Sequence, residues 1–172
     1  MLTREGAQAL TEYKTWADGL TLAAVAGLPP GEAARERTTP HNSLIGTLNH
    51  MYVVDLIWEA HLEGRPHGFT ARNVIVHPQI DALAAAQTEA DGWLRAWAAA
   101  QSDATLREPV HFKLLSGKAG TMSRAEILEH IVNHSTYHRG FVAGLLHQVP
   151  LKAPSTDWNV FRQQHPAGAA SA

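Results

Sequence analysis

The chain has 172 residues, 45% of them apolar and 17% charged, with a formal net charge of -2. That length makes about one domain with a full hydrophobic core, and the apolar share excludes a disordered chain. Fourteen Lys and Arg against 16 Asp and Glu exclude a strongly basic nucleic-acid binder, no apolar run is long enough to span a membrane, and the absence of cysteine removes disulfides, thiolate nucleophiles and Cys-based zinc sites.

Residues 3–27 carry Leu10, Tyr13, Trp16, Leu20 and Ala23 at helical spacing, and Gly27 with Pro29-Pro30 ends the pattern. The segment 28–41 is a polar, Pro- and Gly-bearing connection. A second helix is predicted from a cap at Asn42 or Ser43 to Gly64, with Pro66 just beyond. It is apolar nearly all round, as a buried helix would be. Residues 65–76 form a long loop ending in Val74, Ile75 and Val76. The third helix is expected to begin after Pro78, which suits its first turn, and to fade near Gln101. Ile80, Leu83, Gln87, Ala90, Leu94 and Trp97 make its stripe. Residues 106–122 alternate weakly around Val110–Leu114 and contain Gly117 and Gly120, which suggests a short hairpin before the fourth helix. Ser123 and Glu126 form a capping box for that helix, which runs to about Gln148 and stops before Pro150. In the tail, Asp157, Trp158 and Phe161 are expected to dock, while residues 166–172 read as flexible. The whole is read as an all-α four-helix bundle in one domain over residues 1–165. The start of the chain (Met1 to Glu5) has no apolar signal core, and with the missing cysteines this gives a cytoplasmic expectation.

Eleven histidines are the unusual feature. His41, His67, His77, His111, His147 and His165 fall in loops or near element ends and carry no pattern. His61 falls in the last turn of the second helix, where a partial positive charge suits the helix dipole. His130, His134 and His138 are spaced four apart on the fourth helix, each step advancing about 40°. His134 and His138 fall in the middle of the apolar stripe, and His130 at its edge beside Tyr137. Two imidazoles in a core stripe need partners, and one shared metal satisfies both. His at i and i+4 is a chelating pair, whereas His130 and His138 are about 12 Å apart along the axis and cannot share an ion with His134. Hydrogen bonding of both rings to polar groups on facing helices is the alternative. A third ligand should come from another helix, and His50 on the second helix is the first candidate. Asp55 and Glu59 project roughly opposite it. No H-E-x-x-H motif supplies a general base, and Tyr137 is read as a packing residue that could also donate a proton. Gly140 in mid-helix points to a close helix approach, within the bundle or across a dimer.

The stretch Glu129-His130-Ile131-Val132-Asn133-His134-Ser135-Thr136-Tyr137-His138-Arg139-Gly140 resembles the signature of the DinB/YfiT-like proteins. Leu48-Asn49-His50-Met51 followed by Asp55 and Trp58 resembles that family's second-helix motif, and Pro150 and Asp157 suit its tail. The resemblance covers about residues 3–162. It implies a four-helix bundle of up-down-down-up type, often a homodimer, holding nickel or zinc with three histidines. Carried over residue by residue, these are His50, His134 and His138. Some relatives are transferases or isomerases that use a low-molecular-weight thiol such as bacillithiol or mycothiol. The resemblance therefore implies a metal-dependent transferase joining such a thiol to a small electrophile. Metal-assisted hydrolysis and non-enzymatic metal or ligand binding are the rivals. The basic patch for DNA binding is absent, so no nucleic-acid partner is expected.

Overall fold

Thr3 accepts a hydrogen bond from the Gly6 amide and starts α1 (Arg4–Ala26). Ser43 does the same for the Gly46 amide at the head of α2 (Leu44–Glu63), and Gly64, in the left-handed conformation at φ 69°, ends it. Then follow α3 (Ile80–Ala99), the one-turn α4 (Asp103–Leu106), β1 (Pro109–Lys113), β2 (Ala119–Ser123), α5 (Arg124–Leu146) and α6 (Trp158–Gln164). Gln79 is the cap of α3, so Pro78 lies two positions before its first residue, Ile80, rather than in its first turn. The Ser123–Glu126 capping box forms as expected. β1 and β2 pair antiparallel from Pro109↔Ser123 to Lys113↔Ala119. α4 and α6 were not foreseen as helices, because four and seven residues are too few to show a helical period.

These elements come from a computed structural model that describes residues 2–149 and 151–166. Pro150, the expected stop, and residues 167–172, most of the expected flexible tail, lie outside the described residues. The fold is mostly helical with one small two-stranded sheet. α1 packs on α3 and α5, and α2 packs on α5 and α3. The hairpin rests on α5 and α2, and α6 rests on α1, where Phe161 is buried against Tyr13 and Trp16. No helix among the described residues is long and apolar enough to cross a membrane.

Fifteen of the 20 residues of α2 are buried, which is why its sequence is apolar all round. α1 departs from its expected stripe. Leu20 is 36% exposed, while Lys14 and Asp18 are each 1% exposed. The reason is a buried ion network. The Lys14 ammonium donates to Asp18 at 2.8 Å, Asp55 at 2.7 Å and Asp91 at 2.5 Å. Gln87 donates to Asp55 and Asp91, and Arg139 donates to Asp18 at 2.7 Å. The network ties α1, α2, α3 and α5 together in the middle of the fold. Three carboxylates face two cations, and the pKa directions follow. Burial alone would lower the Lys14 ammonium, but the three carboxylates outweigh it and hold it well above its usual value. Burial likewise opposes ionisation of Asp18, and Lys14 and Arg139 overcome it, so Asp18 is lowered. For Asp91 burial wins and its pKa rises to about 6. Asp55 is raised for the same reason.

Candidate metal centre

Successive residues on a helix point about 100° apart. α5 therefore turns Arg139 to the ion network and its neighbour His138 about a quarter turn away, toward α2. There four imidazoles gather. The ring centroids of His134 and His138 are 4.4 Å apart, those of His50 and His138 4.6 Å, and those of His50 and His134 5.1 Å. His50 and His134 approach through their Nε2 atoms at 3.2 Å. The fourth ring is His41, stacked on His50 at 4.2 Å and edge-on to His138 at 5.1 Å. Nitrogen atoms of His41, His50 and His138 all lie within 4.8 Å of one another. His50 and His138 are buried, and His41 and His134 half-buried.

Local sequence explains each position. Asn49, fully buried, accepts from the Val76 and His77 amides and donates to the His77 carbonyl, all at 2.9 Å. This pins the 65–79 loop along α2 and lays the Arg72 carbonyl against the cage. His50 Nδ1–H donates to that carbonyl at 3.3 Å, leaving the Nε2 lone pair facing inward. His41 owes its seat to Gly46. A Cβ on Gly46 would stand 2.0 Å from the His41 carbonyl, so only glycine lets this segment lie on the first turn of α2. The sequence had marked His41 as an ordinary loop histidine. The available signal was its place just before the cap of the helix that bears His50.

The cage suits a cation better than it suits itself. The Nδ1 atoms of His41, His134 and His138 are buried and have no hydrogen-bond partner. Hydrogen bonding between rings accounts for the His50–His134 contact but leaves these three polar atoms unmet, at a cost of about 1–3 kcal/mol each. Burial is also the main reason the imidazoles resist protonation. His134 is lowered to about 3 by burial, with help from His138, His50, His130 and Arg72. His138 is lowered to about 4 by burial, with help from His50 and His41. At pH 7 both are neutral and hold free lone pairs, the form a divalent ion requires. In a pH titration of the metal-free protein by imidazole NMR, His134 and His138 should therefore stay neutral from pH 7 down to pH 5. Protonation of either ring near pH 6.5 would show that the cage is solvated.

The other candidates fall elsewhere. Asp55 is engaged by Lys14, and Glu59 pairs with Arg65. Asp18, Asp55 and Asp91 bring carboxylate oxygens within 4.8 Å of one another, but the Lys14 ammonium already stands among them. Tyr137, read as a packing residue, is 63% exposed, with its ring 5.0 Å from that of His138. No neighbour lies within 4 Å of a Cβ built on Gly140, so a close approach inside the fold is not its purpose. His130 packs edge-on against Trp58. His61, assigned to the helix end, also packs against Trp58 and Phe112 and is lowered by burial and then by His67. His61, His130 and His134 line one cavity of about 310 Å³, together with Val54, Ile57, Trp58, Arg72 and the hairpin-tip residues Leu114, Leu115 and Ser116. The cage thus has a room beside it.

The sequence profile of the DinB family matches residues 1–167. Protein DinB of Bacillus subtilis (strain 168) is 28% identical over 168 residues, covering 88% of this chain and 91% of that protein. The crystal structure of a DinB-like protein from Bacillus cereus ATCC 10987 superposes with a TM-score of 0.69 at 20% identity, covering 90% of this chain and 97% of that one.

Proposed function

Because the chain belongs to the DinB family, we propose that it is a divalent-metal protein whose ion is held among His50, His134 and His138, with the His41 ring stacked beside them. We further propose that it is an enzyme, a transferase that joins a low-molecular-weight thiol to a small electrophile. The observation that carries the enzymatic part is the cavity of about 310 Å³ opening on His134. A purely structural ion would not need it. Imidazole donors suit nickel and zinc. The bound ion would supply a Lewis acid that lowers the pKa of an incoming thiol, which makes a protein cysteine unnecessary. The chain's own residues orient and exclude. His50 is fixed in one tautomer by the Arg72 carbonyl, Asn49 holds that loop in place, and Trp58, Val54 and Ile57 keep the adjacent wall apolar. The same reading includes the up-down-down-up order of the long helices in a single domain over residues 1–165, a homodimer and a cytoplasmic location. A second reading, a closed metal-binding module without catalysis, draws on His41, since a fourth imidazole can fill a tetrahedral site.

Elemental analysis of the purified protein tests the first step. Wild type should retain about one nickel or zinc per chain, and His134→Ala should retain much less. Retention of no divalent ion, with melting unchanged by chelators, would reject the site. Thiol consumption by the metal-loaded protein, across bacillithiol, mycothiol and glutathione with a panel of electrophiles, tests the second step. Inertness with all three would reject the transferase and leave the closed module.

A further inference from the structure

The cavity beside the cage has a distinctive charge. No carboxylate lines it. Arg72 is among the lining residues and has no ion-pair partner among the described residues. His61 and His130 stand on the same walls, both packed against Trp58. Arg72 is the one Lys, Arg, Asp or Glu among the lining residues, in a chain whose net charge is -2. It stands at the histidine end. The Arg72 carbonyl accepts from His50 Nδ1 at 3.3 Å. Apart from Ser116, the rest of the lining is apolar. Val54, Ile57 and Trp58 come from α2, and Leu114 and Leu115, 43% and 37% exposed, come from the hairpin tip.

From this arrangement we propose that the cavity binds a small organic anion, with its charged end at Arg72 beside the cage and its apolar body along Trp58 and the two hairpin leucines. A guanidinium without a carboxylate neighbour offers a forked donor set for a carboxylate, and its strength grows as apolar walls exclude water. An aromatic or branched aliphatic body fits against Trp58. Placing this anion as substrate rests on the proposed metal site, but its binding does not, and the two are measured separately.

The test is calorimetric titration of the full chain, metal-free and metal-loaded, with phenylacetate and its uncharged counterpart phenylacetamide. Phenylacetate should bind both forms of the protein, and the amide should bind about tenfold more weakly or less. Arg72→Gln should abolish the difference, and Arg72→Lys should restore part of it. Leu115→Glu, which brings a like charge to an exposed position at the far wall, should weaken phenylacetate by a similar factor. Equal binding of acid and amide, or no binding of either, would overturn the proposal. So would binding of the acid that survives Arg72→Gln and disappears with the metal, because the ion alone would then hold the anion. Arg72-dependent binding to a protein that retains no metal would uphold this inference while rejecting the metal site.

Discussion

Lys14→Met should lower the unfolding free energy by about 3–5 kcal/mol at pH 7–8, the cost of removing one partner from a buried ion group. The loss is large because the ammonium is shared. It holds Asp18, Asp55 and Asp91 at 2.5–2.8 Å, and without it only Arg139, bound to Asp18, opposes three buried carboxylates. Methionine fills the space and adds no charge. The penalty should shrink as pH falls, and the sign can be worked out. Asp91 already has a folded-state pKa of about 6, above its unfolded value near 3.9. A carboxyl raised in this way contributes stability that is full below pH 3.9 and lost as pH rises through 6. Removing Lys14 raises the buried carboxylates further, so protons can replace the missing cation at pH 5 but not at pH 8. Chemical denaturation at both pH values checks this. An equal penalty at both would mean that the carboxylates are not electrostatically confined, and a penalty below about 1 kcal/mol would mean that the network is solvated.

His138→Ala should weaken binding of nickel or zinc by on the order of a hundredfold or more, since disturbing only the residues behind a metal ligand already costs 10–100-fold. His50→Ala should do the same, because these two rings belong both to the triad read from helix faces and to the His41-containing set that comes within 4.8 Å. His134→Ala also removes a proposed ligand and should weaken binding comparably, whereas His41→Ala should cost less. The metal-free His138→Ala protein should stay folded, losing no more than about 1–2 kcal/mol, because His138 Nδ1 has no partner to be orphaned. Stability and metal affinity thus separate between the two sides of α5. Lys14→Met damages the fold, and His138→Ala damages the site. Isothermal titration with each metal, alongside a melt of the metal-free protein, measures both. Unchanged affinity in His138→Ala and His50→Ala would remove the cage as the site.

The parts legible in the sequence are those governed by local rules. The Ser123–Glu126 box, the Ser43 cap, the Gly64 stop and the all-apolar α2 follow from capping and burial, and each is found. His50, His134 and His138 were picked out because histidine in an apolar helix face is costly without a partner, and their rings do meet. What stayed hidden depends on contacts between distant segments. Lys14, Asp18 and Asp91 look like solvated residues until α1 and α3 bring them together, and so the buried face of α1 turns away from Leu20 and Ala23. His41 and Arg72 lie in connections whose paths are set by Gly46 and Asn49, residues that carry no helical period. The hairpin was foreseen, but the contribution of its tip to a cavity wall depends on how it folds back over α2.

X-ray absorption at the metal edge of the nickel- or zinc-loaded protein most directly tests whether imidazoles from α2, α5 and the preceding loop share one cation. The first shell should be dominated by nitrogen, at about 2.0–2.1 Å for zinc, with the outer-shell scattering of at least three imidazole rings per ion. A shell of oxygen ligands with one ring or none would contradict it.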